Sequence, residues 1–444
     1  MTNTATQMER ITTGALFCLW ATAANGNPTG GAFSGPAQPS GASVYWNPAA
    51  LAATDNVPAV FAEVTGDLVH LRYQRTTGDP QDNTVYPPVS FTTPAPDPSL
   101  MASVPLPWPW LRLIFGAESI GSGGSRWPDD GPQRYQAASS QTIGVTAMPG
   151  LLFTPWPGFA IGFVAGPMYL SVEGKTAVDF GAILNSQFPN GAGPFGLENP
   201  DMQGWLSTKM SGWSLNAAWG LWAQPYEWLT LGLGLTTPRA VPLHGSLNVT
   251  APPALAKVAP GYQLNPHAIV DVSSAIPGTL NAEAQVHSIV DVAAMVQFAQ
   301  RSVWKVMVAR VSNAEPQILN GNELTLRTNN DHWTFGLRIS GAVTPNCEAA
   351  VRFDYYPSAV PTSALTASNF DFTIYEPSVA VRWTTSSKQT FTITYAFGYF
   401  VTVNETDSIY SPNATTNSGL SQPSANGVYG GWIQRLTLGV NFFM

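Results

Sequence analysis

Residues able to do covalent chemistry are few in this chain and badly placed for it. Five histidines are scattered along 444 residues, with neither a Gly-x-Ser-x-Gly elbow nor a His-Glu-x-x-His pair. His287 and Ser288 are adjacent in an extended stretch, which sends a base and a nucleophile to opposite faces. Gly174-Lys175-Thr176 looks like the end of a phosphate loop, but Tyr169 stands where the leading glycine belongs. No catalytic, cofactor or metal site is expected, and no enzyme. The chemistry left is apolar binding. Phe188 and Trp205, in the segment 177–211, and Leu264, in 251–279, belong to stretches too greasy for loops that only face water. They are the expected wall of a groove for a hydrophobic ligand, with packing of the long loops on themselves as the alternative.

The elements that must carry these residues are strands. The last nine residues, Leu436 to Met444, alternate strictly, as do 391–403, 333–343, 229–235, 213–221 and 159–169. Alternation marks about fourteen strands, at 58–75, 99–106, 110–121, 139–154, 158–176, 212–224, 227–250, 280–299, 303–317, 332–344, 347–360, 371–385, 389–404 and 430–444. Tight turns are expected at 108–109, 155–157, 224–225, 300–302, 345–346 and 386–388, with long loops at 76–98, 177–211, 251–279 and 405–429. Short turns on one side and long loops on the other distinguish a membrane β-barrel from a soluble sandwich.

Composition agrees. Only 10% of residues are charged against a usual quarter, 11% are aromatic with 15 Trp, and there are 40 Gly and 38 Pro. The net charge of -8, without a Lys/Arg cluster, makes nucleic acid an unsuitable partner. Arg10, the apolar run 11–20 and Ala21-Thr22-Ala23 read as a secretory signal over 1–23. Cys347 is then the one remaining cysteine, so no internal disulfide is expected. Residues 24–57 are not strand-like and are rich in small side chains. Fourteen tilted strands enclose a backbone diameter of about 28 Å, which side chains alone do not fill. The expected organisation is therefore a signal at 1–23, a plug at 24–57 and a barrel at 58–444.

In the third strand the apolar series Leu111, Leu113, Phe115 stops at Gly116, and Glu118, Gly121, Gly123 and Gly124 follow. Glycines weaken a strand interior, and a carboxylate facing lipid is expensive. A bulge or kink that opens the wall, with Glu118 turned inward, resolves both; the alternative is a strand that ends early in a loop.

Gly31-Ala32-Phe33-Ser34-Gly35, followed by Val44-Tyr45-Trp46-Asn47-Pro48-Ala49-Ala50-Leu51, resembles the hatch of the FadL-type outer-membrane transporters. In that family an Asn-Pro-Ala turn, here Asn47, Pro48 and Ala49, precedes the first strand. Arg352-Phe353-Asp354-Tyr355-Tyr356-Pro357-Ser358-Ala359-Val360-Pro361 is similar to the family's segment at the outer end of its eleventh strand, with Phe353, Asp354, Pro357 and Pro361 in the matching places. The C-terminal strand also fits an outer-membrane assembly signal, with Thr437, Gly439, Phe442 and Met444 at its marked positions.

The resemblance implies passive uptake of long-chain fatty acids or other hydrophobic molecules, such as aromatic hydrocarbons, across the bacterial outer membrane. The ligand docks among the outer loops, moves to a site by the hatch and leaves sideways at a kinked third strand. The stretch before Gly31 is about ten residues shorter than the family's hatch. Expected partners are the hydrophobic ligand, outer-membrane lipid and lipopolysaccharide, and the barrel assembly machinery, for a chain acting as a monomer. A plugged barrel serving as an adhesin, receptor or surface scaffold is the other class of function.

Overall fold

The computed structural model is a closed antiparallel barrel of fourteen strands. It describes residues 30–54, 56–76, 84, 86–185, 195, 198–258, 268–304, 306–312, 321–326, 329–409 and 424–444. The signal expected at 1–23 lies outside these residues. The strands are β1 (Ala59–Arg75), β2 (Val89–Pro105), β3 (Leu111–Ser119 and Gly123–Arg126), β4 (Ser139–Trp156), β5 (Phe159–Asp179), β6 (Gln203–Tyr226) and β7 (Leu229–Thr236 and Arg239–Thr250). They continue as β8 (Ala268–Ile276 and Thr279–Val286), β9 (Asp291–Ala299 and Val306–Ser312), β10 (Gly321–Leu326 and His332–Thr344), β11 (Cys347–Tyr356), β12 (Ile374–Thr384), β13 (Thr390–Glu405) and β14 (Gly427–Phe443). Each pairs with its chain neighbours, and β14 closes on β1 from Ala59 opposite Phe443 to Arg75 opposite Gly427.

Alternation decides which side chains meet lipid. Along β7, Leu231, Leu233 and Leu235 face out while Thr230, Gly232 and Gly234 face in. The same rule exposes Leu337, Val381, Ile393 and Leu438. At the short-turn end the outward faces carry an aromatic belt: Trp108 stacks with Trp110, Trp156 with Phe159 and Tyr226 with Trp228. Rings at this level suit the boundary between hydrocarbon and water, as expected of a transmembrane barrel.

The structure corrects several boundaries. The stretch 280–299 is not one strand: it ends β8, turns at 287–290 and starts β9. The turn reads His287-Ser288-Ile289-Val290, with Ile289 96% exposed at its tip, so Ser288 is the one residue in it of the kinds that mark turns in water. The turn expected at 300–302 is instead a single 3-10 turn, Arg301–Trp304, inside β9. The turn expected at 224–225 is tied off later, because β6 runs to Tyr226. β2 starts at Val89, ten residues earlier than its prolines allowed. Strand residues also replace parts of the loops expected at 177–211 and 251–279, since β5 reaches Asp179, β6 begins at Gln203 and β8 at Ala268.

Leu436 lies on the lipid face of the closing strand, between Trp432 and Phe442. Leu436→Arg is expected to destabilise the barrel by about 2–4 kcal/mol in reversible unfolding from lipid vesicles. A loss well below 1 kcal/mol would place this face away from hydrocarbon.

Candidate functional site

Residues 30–54 touch the inner face on every side of the ring, which places them in the lumen. Ala32 N donates to Thr394 Oγ1 on β13 at 3.1 Å, and Ala37 N donates to Glu283 on β8 at 2.8 Å. Ser34 Oγ and Ala42 N donate to Glu63 on β1 at 2.8 and 3.1 Å. Arg338 on β10 is paired with Glu283 at 3.0 Å, and Arg382 on β12 lies 3.9 Å over the Phe33 ring. A buried charge without its partner costs about 3–5 kcal/mol, so the segment is held by groups that cannot easily be left behind.

Asn47, Pro48 and Ala49 form a compact lock. Asn47 Oδ1 accepts from Ala49 N at 2.9 Å and so caps the 3-10 helix Pro48–Ala53, with Pro48 in its first turn. Asn47 Nδ2 donates to Pro36 O at 2.7 Å within the plug and to Leu221 O on β6 at 2.8 Å. The wall makes room with glycine. A Cβ on Gly220 would fall on Asn47 Oδ1, and one on Gly234 would fall on Trp46 O. Beside the lock, Tyr45 accepts from Gln297 Nε2 at 2.8 Å, and burial pushes its phenol up to about 12.

The 352–361 segment connects plug and roof. Arg352 and Asp354 point inward as a bidentate pair at 2.8 and 2.9 Å, and Arg352 Nη1 donates to Ser34 O at 2.7 Å. Phe353 faces out, 47% exposed, as lipid surface. Pro357 and Pro361 lie beyond the strand, where the chain folds back over the lumen as the stretch 357–373, with Pro361 at the start of the 3-10 turn Thr362–Ala364. Asp371 fixes this stretch by accepting from Ala359 N at 2.8 Å and lying 3.4 Å from Arg301. Burial raises the Asp371 carboxyl while Arg301 pulls it back.

Above the plug the wall is slit. β2 pairs with β1 along its whole length from Val89, but with β3 only from Ser99 to Pro105. After Ser119 the third strand breaks, and its second piece stays with β4 through Gly123 to Arg126. The stretch of β2 left without a β3 partner carries Pro94, Pro96 and Pro98, all facing out. Proline has no N–H to offer, so it is tolerated on such an edge. This alternation of prolines is the signal that the sequence reading missed. Gly121, Gly123 and Gly124 line the slit, Ser122 Oγ donates to Pro96 O, and Gly116 sits below against Val44 of the plug. Glu118 points inward, 8% exposed.

Two cavities meet at this slit. The inner one, of about 70 Å³, is lined by Leu71, Phe91, Thr93, Phe370 and Ile433 and by Gly121 to Gly124. The outer one, of about 880 Å³, lies between Pro94, Pro96 and Pro98 on β2 and Ile143 and Val145 on β4. Thr93, Ser122, Gly123 and Gly124 belong to both.

The expected loop groove fares differently. Trp205 is not in a loop: it lies in β6 on the outward face, with Lys175 Nζ 3.9 Å over its ring. The run of apolar residues before β6 disguised where the strand begins. Phe188 and Leu264 lie outside the described residues. Phe180, Leu206, Leu247, Leu255 and Val270 pack on one another as a closed cluster, with Leu247 and Val270 fully enclosed. His287 proves to be hydrogen-bonded on both nitrogens, to Thr230 Oγ1 at 2.8 Å and Asp291 Oδ2 at 3.1 Å. Asp291 also takes Gln285 Nε2 at 3.0 Å and Ser288 N at 3.3 Å, so the relay braces the short turn at 287–290.

A fourteen-strand ring, an N-terminal segment locked inside and a break in the third strand together define the architecture. The chain has the FadL-type fold. It superposes on a FadL homologue of Pseudomonas aeruginosa with a TM-score of 0.72 at 14% identity, covering 98% of each chain. The toluene transporter TbuX of Ralstonia pickettii gives 0.61 at 12% identity over 98% of each chain. The toluene transporter TodX of Pseudomonas putida gives 0.62 at 13% identity over 91% of this chain and 94% of that one. No family model matches the sequence, and no curated protein matches it. The FadL-type fold is thus carried by backbone geometry and a few local motifs at very low identity.

Gly234→Val drives a side chain into Trp46 O and is expected to unseat the plug while leaving the barrel heat-resistant on gels. Single-channel conductance in planar bilayers should then rise several-fold. Conductance at the parent value would mean that the plug does not limit flow.

Proposed function

We propose that this protein is an outer-membrane channel for hydrophobic molecules, preceded by a signal at 1–23, with residues 24–57 as the hatch and 58–444 as the barrel. Ligand enters from the long-loop side, passes over the hatch by way of the inner cavity and leaves sideways between β2 and β3 into the membrane. One observation carries this reading: the inner and outer cavities share Thr93, Ser122, Gly123 and Gly124 at the point where β2 loses its β3 partner. The FadL-type relatives of the fold support it, two of them being described as toluene transporters.

The route makes physical sense. An amphiphile that crosses lipopolysaccharide slowly need not enter periplasmic water if it is released into hydrocarbon. No energy source is needed, because partition into lipid is downhill. Phe91, Phe370 and Ile433 supply the apolar contact, and the hatch below keeps the lumen from leaking.

A cysteine pair tests the exit. Pro96→Cys and Ser122→Cys, in the Cys347→Ala background, place thiols where a hydrogen bond already joins the two edges. Oxidation is expected to cut uptake of a hydrophobic substrate several-fold in cells, with recovery on reduction. Equal uptake by the oxidised and reduced proteins would exclude this slit as the exit.

A further inference from the structure

The outer groove at the slit has an apolar end and a charged end, and ring pairs on the outward face show at what height each lies. Phe159 belongs to the lower aromatic belt. On the same strand Tyr169 stands about 33 Å further along, or about 25 Å higher at a tilt of about 40°, and there its ring packs on Trp213. That is the height of the apolar band of an outer-membrane barrel. Beside the closing strand, His70 stacks on Trp432 and is hydrogen-bonded to Thr92 of β2 at 2.9 Å. β2 descends from Thr92, so Pro94, Pro96 and Pro98 lie below these rings, within hydrocarbon. Across the groove from them are Ile143 and Val145, which are 44% and 48% exposed.

The charged end lies above the rings. By the same rise and tilt, Lys209 is about 10 Å and Lys175 about 15 Å above the level of Tyr169 and Trp213. Arg126 stands across β4 from Lys175, both being opposite Ser139. These three cations line the groove together with Asp129 and Glu173. Asp129 holds Lys175 at 3.1 Å and Glu173 holds Lys209 at 2.5 Å, exposed pairs that contribute little and give way to a competing anion. Arg126 is exposed and, among the described residues, makes no hydrogen bond or ion pair. The groove thus carries a surplus positive charge on a chain whose net charge is -8. Between the cations, Ser139, Gln141 and Ser207 offer hydroxyl and amide groups.

An occupant that fits is apolar below, rich in hydroxyl groups above, and anionic well clear of the hydrocarbon edge. The headgroups of ordinary bilayer phospholipid fill only about 5–8 Å on each side of the hydrocarbon, short of Lys175 and Lys209. A glycolipid with phosphorylated sugars mounted on its acyl chains reaches them. We propose that this groove binds one molecule of lipopolysaccharide, with phosphates of its sugar head at Arg126, Lys175 and Lys209 and an acyl chain against Pro94, Pro96 and Pro98. The lipid then covers the mouth of the slit from outside. This rests on the outer-membrane placement in the reading above and not on the direction of transport.

The test uses the whole protein folded in detergent micelles and counts the lipid retained per barrel by native mass spectrometry. The probes, at equal concentration, are a rough lipopolysaccharide with phosphorylated lipid A and inner-core sugars, the same molecule stripped of its phosphates, and phosphatidylglycerol. The parent is expected to retain one molecule of the first and at least about tenfold less of either of the others. Arg126→Gln, Lys175→Gln and Lys209→Gln together should lower retention of the first probe about tenfold, in protein that still resists heat on gels. Lys388→Gln, at the short-turn end, should leave it unchanged. If the triple variant fails to assemble, Arg126→Gln, which breaks no pair, carries the same comparison with a loss of about threefold. The inference is overturned by no retention in the parent, by equal retention of phosphatidylglycerol or of the stripped probe, or by unchanged retention in the folded variant. None of these outcomes involves transport, so the channel reading stands or falls on the uptake assay above.

Discussion

A strand exposed to hydrocarbon has no water to satisfy its N–H and C=O groups, so every one of them must find a neighbour or be removed. That constraint closes β14 onto β1 and fixes the barrel. It also governs a place where the barrel departs from a plain ring. Between β2 and β3 the ladder stops at Ser99, and above it the free edge of β2 is built with Pro94, Pro96 and Pro98, whose missing donors leave less to satisfy. Ser122 takes the carbonyl of Pro96, so part of the remaining demand is met across the slit.

Inside the ring the constraint is different, because a plug must be held in a polar lumen. The chain divides the task. Close fit comes from wall glycines such as Gly220 and Gly234, which let the backbone of 46–49 approach the barrel. Orientation comes from long charged side chains, Glu63, Glu283 and Arg352, which reach the plug's backbone groups and, in Glu63, also the Ser34 hydroxyl. Arg352 is itself held by Asp354, next to the chain that folds over the lumen at 357–373. Ser34 of the plug is thus joined through Arg352 to the strand that leads into 357–373, where Phe370 lines the cavity.

Much of this was legible in the sequence, for stated reasons. Period-two alternation at Leu229–Leu235 and at the C-terminus is dictated by the pleat, and lipid outside against small polar residues inside makes it visible. The strand number came out right even where boundaries did not. The turn at 287–290 was hidden because Ile289 and Val290 are apolar and Ser288 alone marks it as a turn, and the start of β2 was hidden because prolines normally forbid a strand. The hatch motif 47–49 was found through resemblance, while its contacts with Leu221 and Gly220 join residues far apart in the chain and leave no local trace. The glycines after Gly116 marked the broken strand, but the cavity beside it is built from β1, β2, β14 and Phe370, and no local pattern brings those together. Trp205 was misplaced for a simpler reason, since a tryptophan next to a loop looks the same whether it faces a ligand or the outside of the wall.

The prolines of β2 have a consequence for how traffic through the barrel is controlled. A strand edge with its donors intact is adhesive and tends to zip onto whatever edge lies near, its own neighbour or another chain. With Pro94, Pro96 and Pro98 in place, β2 lacks the donors needed to reseal against β3 by adding ladder bonds. The interruption of the β2–β3 ladder above Ser99 is then fixed by the covalent structure rather than by contacts that form and break. On the route proposed above, control over passage would then fall to the segments inside and over the lumen, 30–54 and 357–373, and not to the wall.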